Sequence, residues 1–306
     1  MTKTARISAA VIMASVLSGC FTGIESTPTI TDREVRKQQP KETPEDSYLK
    51  EIEELQPTLA IGSPLIVTDP KIRLVFEPGQ SDGSVVSGDT LRLCRIDEAT
   101  TFDGQQVAVL EFSDNHGTVH RYRTSQSKNA LQRKATISIP FTVDLTKVEA
   151  VRRKMNGQTY YLITASRYDE SDNLTTGRRF VPVKVVAVEP GNEYYPIRLE
   201  LTDDLGDHLR LYMSVDSGSI MPRRFSTLFS LSDPRLRYPA ITDANWALIT
   251  EGKVAQGMTR DECRLAIGKP DNVDRQPGYS SLHELWTYND GKMLVFEDGI
   301  LQSFRQ

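Results

Sequence analysis

The chain has 306 residues, 38% of them hydrophobic and 25% charged, which is the composition of an ordinary folded protein with room for about two domains. Its formal net charge is -4, so it lacks the broad positive field that general nucleic-acid binding requires.

Lys3 and Arg6 give the start of the chain a positive charge. Ile7 to Leu17 then run without a charged residue, and Leu17-Ser18-Gly19-Cys20 follow. A charged start, a short apolar run and small residues before a cut site are the pattern of a secretory signal. The run has about 11 residues, well short of the roughly 20 that a spanning helix needs. Leu17 to Cys20 resemble the lipobox of bacterial lipoproteins. That resemblance implies a signal peptide at 1–19, cleavage before Cys20, and acyl chains, palmitate among them, on Cys20. One acyl chain holds a protein only marginally, at about 0.8 kcal/mol per buried CH₂, and several make release slow. Phe21 stands where proteobacterial lipoproteins kept in the inner membrane carry Asp. The expected location is therefore the outer membrane, with the body in the periplasm or at the cell surface.

Residues 20–60 are rich in Thr, Pro, Glu, Lys and Gln. Such a stretch offers too little apolar surface to offset its ordering entropy, and it reads as a flexible tether. Within it, Tyr48, Ile52 and Leu55 are spaced for one helical face over 45–55.

From residue 61 to 222 the pattern is β-rich. Strands are expected at 72–76, 90–96, 106–112, 118–123, 135–139, 159–165, 180–188, 197–201 and 209–215. They are separated by the turn pairs Pro78-Gly79, Asp82-Gly83, Asn156-Gly157 and Pro190-Gly191. Short, evenly spaced strands of this kind predict antiparallel sheets. Leu110-Glu111-Phe112-Ser113-Asp114-Asn115-His116-Gly117 aligns with Leu199-Glu200-Leu201-Thr202-Asp203-Asp204-Leu205-Gly206, and Arg121 then falls opposite Arg210. A duplicated hairpin unit explains this match, and so does chance likeness between two hairpins of one type.

Residues 223–238 form a basic connector containing Arg223, Arg224, Arg235 and Arg237 among Phe225, Leu228, Phe229 and Leu231. These four arginines are candidate ligands for an anion such as a lipid headgroup or a cell-wall carboxylate. Residues 239–306 change pattern again. One helix carries Trp246, Leu248 and Ile249. A second is opened by a Thr259/Glu262 capping box and closed by Gly268 and Pro270. Strands at 271–275, 282–288 and 293–296 follow, and a last short one at 300–304.

Gly257-Met258-Thr259, Glu262, Leu265, Gly268, Pro270, Trp286, Tyr288, Leu294, Phe296, Asp298, Gly299 and Leu301 together resemble the SmpA/OmlA, or BamE-like, family of outer-membrane lipoproteins. The resemblance covers under a quarter of the chain. It implies two helices on a three-stranded antiparallel sheet, and a scaffold that supports the outer membrane or its assembly machinery without catalysis. The same residues also suit a core, and they specify a fold more strongly than a function. The expected fold class is thus α+β: a β-rich antiparallel region, with the duplication left open, followed by a small two-helix, three-stranded module.

Catalytic signatures are sparse. No Cys-x-x-Cys or His-Glu-x-x-His occurs, and the chain has only four His. His116, His120 and His208 are expected at the surface. Asp203, Asp204, Asp207 and His208 form the densest acidic cluster, without the spacing of a calcium loop. Cys94 and Cys263 are expected as buried thiols, with a disulfide as the alternative. No catalytic residue, metal ligand or cofactor is assigned. The expected role is non-enzymatic: an interaction or assembly factor held on the membrane through Cys20, with an envelope protein as partner and no nucleic acid. The alternatives are a carbohydrate- or wall-binding protein, for which Tyr160, Tyr161, Tyr194 and Tyr195 are the candidate aromatics, and an envelope hydrolase.

Overall fold

A computed structural model describes residues 42–55, 60–78, 85–133, 139–215, 223–278 and 281–306. Cys20 and the expected signal peptide lie outside the described residues, as do the Asp82-Gly83 turn and nearly all of the strand expected at 135–139.

The first described segment carries two single-turn helices, α1 (Pro44–Ser47) and α2 (Lys50–Glu53). Thr43 and Asp46 cap α1 reciprocally, which satisfies two orphan backbone donors. Leu49 and Ile52 are buried in a core cluster. Residues 42–55, read from sequence as part of the tether, are therefore seated on the body.

β1 (Pro64–Val67) follows. A 3-10 turn, Pro70–Leu74, then occupies most of the strand expected at 72–76. Asp69 caps it by accepting from Lys71 N, and Pro70 supplies a preset φ at its first position. Only Ile72 of this turn is buried, so the local cap prevails over an alternation with one residue to bury. β2 (Thr90–Thr100), β3 (Gln106–Ser113), β4 (Val119–Arg123), α3 (Lys128–Gln132) and β5 (Thr142–Asp144) complete the first unit. Its five strands lie in the order β4-β3-β2-β1-β5.

Helix α4 (Leu145–Met155) begins where β5 ends, with Asp144 accepting from Thr146 N. Val148, Val151 and Met155, at 3–4 spacing, are buried on its inner face, and the helix packs on β1 and on β9. The second unit contains β6 (Thr159–Leu162), β7 (Ser166–Tyr168), β8 (Leu174–Thr176), β9 (Val181–Pro190), β10 (Ile197–Asp203) and β11 (His208–Met213). α5 (Phe225–Leu228) and β12 (Phe229–Ser230) close it. Its sheet order is β12-β6-β9-β10-β11-β7-β8.

Without the added β7–β8 hairpin, the second order corresponds strand for strand to the first. The hairpin loops correspond atom for atom as well. Asp114 Oδ1 accepts from His116 N and Thr118 N, and Asp203 Oδ1 accepts from Leu205 N and Asp207 N. Gly117 and Gly206 supply the positive φ of each turn, 81° and 88°. Glu111 pairs with Arg121 across one hairpin, and Glu200 with Arg210 across the other.

The C-terminal part holds α6 (Asp243–Thr250) and α7 (Arg260–Ile267). They pack on β13 (Asn272–Pro277), β14 (Leu282–Thr287), β15 (Met293–Glu297) and β16 (Ile300–Arg305), a four-stranded antiparallel meander. The expected fold class is corrected on this evidence. The chain is α+β with three sheets of five, seven and four strands. Helices recur throughout the described residues, and the last sheet has four strands, not three. The fourth forms because Asp298 and Gly299, at φ 48° and 84°, reverse the chain tightly. β16 then pairs along β15 from Ile300 to Arg305.

Arg179 ties the two C-terminal helices to the second sheet. Its N–H donates to Thr250 O at 3.0 Å, and its guanidinium donates to the carbonyls of Leu265 and Ala266 at the end of α7. A cation suits that negative end of a helix dipole. Burial lowers the Arg179 pKa from its ordinary value. Phe180 beside it meets Trp246 of α6, with ring centroids 5.7 Å apart.

Candidate functional site

The second sheet buries one face and presents the other. Ile197, Leu199 and Leu201 of β10 and Leu209, Leu211 and Met213 of β11 point into the core. Strand alternation therefore turns Arg198, Glu200, Arg210 and Tyr212 outward. Arg198 pairs with Glu189 of β9 and lies 3.3 Å from Glu200. Arg210 bridges Glu200 at 2.7 Å and Asp172 of the β7–β8 turn at 2.6 Å. Asp172 also accepts from Tyr212 OH at 2.9 Å.

The charges of this face bias one another. The hydrogen bond to Asp172 raises the Arg210 pKa above its ordinary value against the opposing effect of burial, and Glu200 adds to the rise. Asp172 is lowered, first by Arg210; burial opposes this, and Tyr212 assists it. Tyr212 is raised, mainly by burial. The face is thus a fixed ladder of alternating charge.

At one end of this ladder stands Arg223. Its guanidinium carbon lies 5.6 Å from the ring centroid of Tyr168 and 5.7 Å from that of Tyr195. Both distances are within cation–π range. Tyr168 is held edge-on against Tyr212, with centroids 5.1 Å apart. Tyr195 is held by its loop, in which Asn192 Oδ1 accepts from Tyr194 N and Tyr195 N. Two chain segments, those of Tyr168 and Tyr195, thus converge on one arginine.

The other predicted basic residues serve different neighbours. Arg224 is exposed, and its charge helps to lower the pKa of Asp46. Arg235 folds onto the start of α6, donating to Ile241 O and Asp243 Oδ1, both at 2.7 Å. It also covers the Trp246 ring. Arg237 is largely exposed, 3.9 Å from Glu45 Oε1. The tyrosines proposed from sequence also separate. Tyr160 is buried and shares a 2.7 Å hydrogen bond with Tyr48 OH, Tyr195 contacts Arg223, and Tyr194 is 74% exposed. Tyr168, Tyr212, Arg198 and Asp172 were not singled out by sequence. The period-two charges Arg198/Glu200 and Arg210/Tyr212 were the available signal for two of them.

His120 departs from its expected surface position. It is fully buried, its Nε2 lies 3.0 Å from Asp114 Oδ2, and Phe76 stacks on its ring. His116 and His208 are exposed. Among the described residues no group of three or more His, Cys, Asp or Glu is placed to hold a metal ion. Asp203, the centre of the acidic cluster, spends one carboxylate oxygen on its own loop.

Cys94 and Cys263 are both free. Cys94 is exposed on β2, contrary to the buried position expected for it. Cys263 is fully buried, and burial with the neighbouring Glu262 pushes its thiol up to about 12. The thiolate is the reactive form, so a maleimide reagent at neutral pH should modify Cys94 in the native chain. Cys263 should react only after denaturant is added. Equal native rates would contradict these placements.

Comparison of the chain with protein-family models, curated proteins and solved structures finds no match.

Proposed function

We propose that the chain is a lipid-anchored protein of the bacterial envelope that acts by binding rather than by bond-making. The observation that carries this reading is Leu17-Ser18-Gly19-Cys20 following the uncharged run from Ile7. Several acyl chains on Cys20 would hold the body at a membrane surface for long periods. The outward face of the second sheet supports the binding role. It offers fixed charges, the rings of Tyr168, Tyr194 and Tyr195, and an arginine lying over two of them, on strands and tight loops that keep their geometry.

A second reading rests on the C-terminal part. The capped helix α7, Gly268, Pro270 and the buried Trp286 and Phe296 resemble the BamE-like lipoproteins, and favour an assembly or stability factor with an envelope protein as partner. The resemblance is one of motif, since the sheet has a fourth strand.

Replacing the lipid-bearing residue tests the anchor. Cys20→Ser should move the protein from the membrane pellet to the soluble envelope fraction. A substituted chain that still sediments with membranes would refute the reading.

A further inference from the structure

Arg223, at one end of the outward face, has no carboxylate partner among the described residues. Arg198 is matched to Glu189 and Glu200, and Arg210 to Glu200 and Asp172. Arg223 instead lies over two ring faces, those of Tyr168 and Tyr195. Cation–π contact restrains a guanidinium without consuming the N–H donors at its edge. A half-buried guanidinium held in this way has given up part of its hydration and side-chain entropy before any ligand arrives. An incoming anion then gains more from each hydrogen bond.

The chemistry of the anion follows from the surroundings. The guanidinium fork matches a planar carboxylate with two parallel hydrogen bonds. Arg223 brings a single positive charge to the two rings, and Glu189, Glu200 and Asp172 share the same face. A single negative charge is accommodated there, whereas a phosphate dianion would exceed the one charge of Arg223 while Arg198 and Arg210 are engaged with the three carboxylates. Beside the stack, Tyr194 is 74% exposed. It sits in the loop ordered by Asn192, next to Tyr195. An exposed ring on an ordered backbone offers a flat apolar platform with a polar rim, suited to the C–H face of a pyranose.

We propose that Tyr168, Arg223 and Tyr195 form a recognition site for a carboxylate borne on a sugar, with Tyr194 stacking against the sugar ring. The proposal deepens the envelope-binding role and names its ligand class. It does not depend on the anchor: the site lies wholly within the described body, and failure of lipidation would leave it intact.

The test uses the full chain carrying Cys20→Ser, which is free of lipid, with ligand-observed NMR titration. The probes are N-acetylmuramic acid, N-acetylglucosamine, acetate and inorganic phosphate. N-acetylmuramic acid should bind saturably, and at least tenfold more tightly than each of the other three. Arg223→Ala should weaken it at least tenfold. Arg223→Lys should weaken it severalfold, because a point charge cannot reproduce the fork. Tyr194→Ala removes an exposed ring without disturbing the core, and should weaken both sugars while leaving acetate unchanged. It keeps the proposal testable if Arg223→Ala fails to fold. Equal binding of the two sugars, equal binding of phosphate or acetate, or unaltered affinity in Arg223→Ala would each overturn the assignment.

Discussion

Trp286→Ala should lower the stability of the C-terminal unit by about 3–5 kcal/mol, the usual cost of removing a large aromatic side chain from a closed core. Trp286 is fully buried, and its ring lies 4.5 Å from that of Phe296, centroid to centroid. Its Nε1 donates to Glu284 Oε2 at 3.2 Å, while the Arg264 guanidinium covers it 4.8 Å from its centroid. The substitution opens a cavity between α7 and the sheet. It also removes a donor from Glu284, a buried carboxylate otherwise held by Arg260, and an under-satisfied buried charge adds its own penalty. Urea unfolding followed by far-UV circular dichroism measures the effect. A loss below about 1 kcal/mol would mean that Trp286 is not enclosed as described.

The second large effect is expected at the paired hairpin loops. Asp114→Ala should cost about 2–4 kcal/mol, since it strands two backbone N–H groups and His120 Nε2 in a buried setting. Asp203→Ala should cost less, because its loop makes the same two backbone hydrogen bonds but buries no histidine. The Asp114 loop should also be acid-sensitive. Burial alone would raise the Asp114 pKa, but the hydrogen bonds from His120, Thr118 N and His116 N outweigh it and hold the group below its ordinary value of 3.8. A carboxylate whose folded pKa is depressed stabilises the fold fully above its unfolded pKa. That contribution is lost as pH falls through the folded pKa. The Asp114 contribution should therefore be complete at neutral pH and begin to decline below about pH 4. The penalty of Asp114→Ala should shrink over the same range. A penalty independent of pH down to pH 2 would contradict the ionised, hydrogen-bonded aspartate.

Much of the local structure was legible in the sequence, because local signals govern it. The Thr259/Glu262 box, the Gly268 stop and the Asp-x-x-Gly loops are each closed by atoms a few residues apart. The alignment of Leu110–Gly117 with Leu199–Gly206 was likewise readable, and it marks two loops with identical hydrogen bonds. Helix α4 was missed, although Asp144 offers an N-cap and Val148, Val151 and Met155 a helical face. Reading Asn156-Gly157 as a turn between strands concealed it. The segment at 72–76 was misread for the opposite reason, since its apolar alternation was more visible than the Asp69-Pro70 cap. Sheet order depends on contacts distant in sequence. No periodicity within one segment encodes it.

The candidate site shows the same division. Arg223 stood out as part of a basic segment, and Tyr194 and Tyr195 as a pair of aromatics. The structure sends Arg224, Arg235 and Arg237 to other neighbours and gives Arg223 two rings from elsewhere in the chain. Tyr168 could not be placed beside Arg223 from sequence, because β7 belongs to a hairpin laid against β11 far from its neighbours in the chain. The charge ladder was half visible as Arg-x-Glu on β10. Its closure needed Asp172, held at a positive φ of 61° in the β7–β8 turn.

All readings of cellular role return to residue 20. Mass spectrometry of the amino-terminal peptide of the protein purified from bacterial membranes tests this most directly. The account predicts a peptide beginning at Cys20, heavier than its amino-acid sequence by the mass of attached acyl chains. A peptide that begins elsewhere, or that carries an unmodified Cys20, would contradict it.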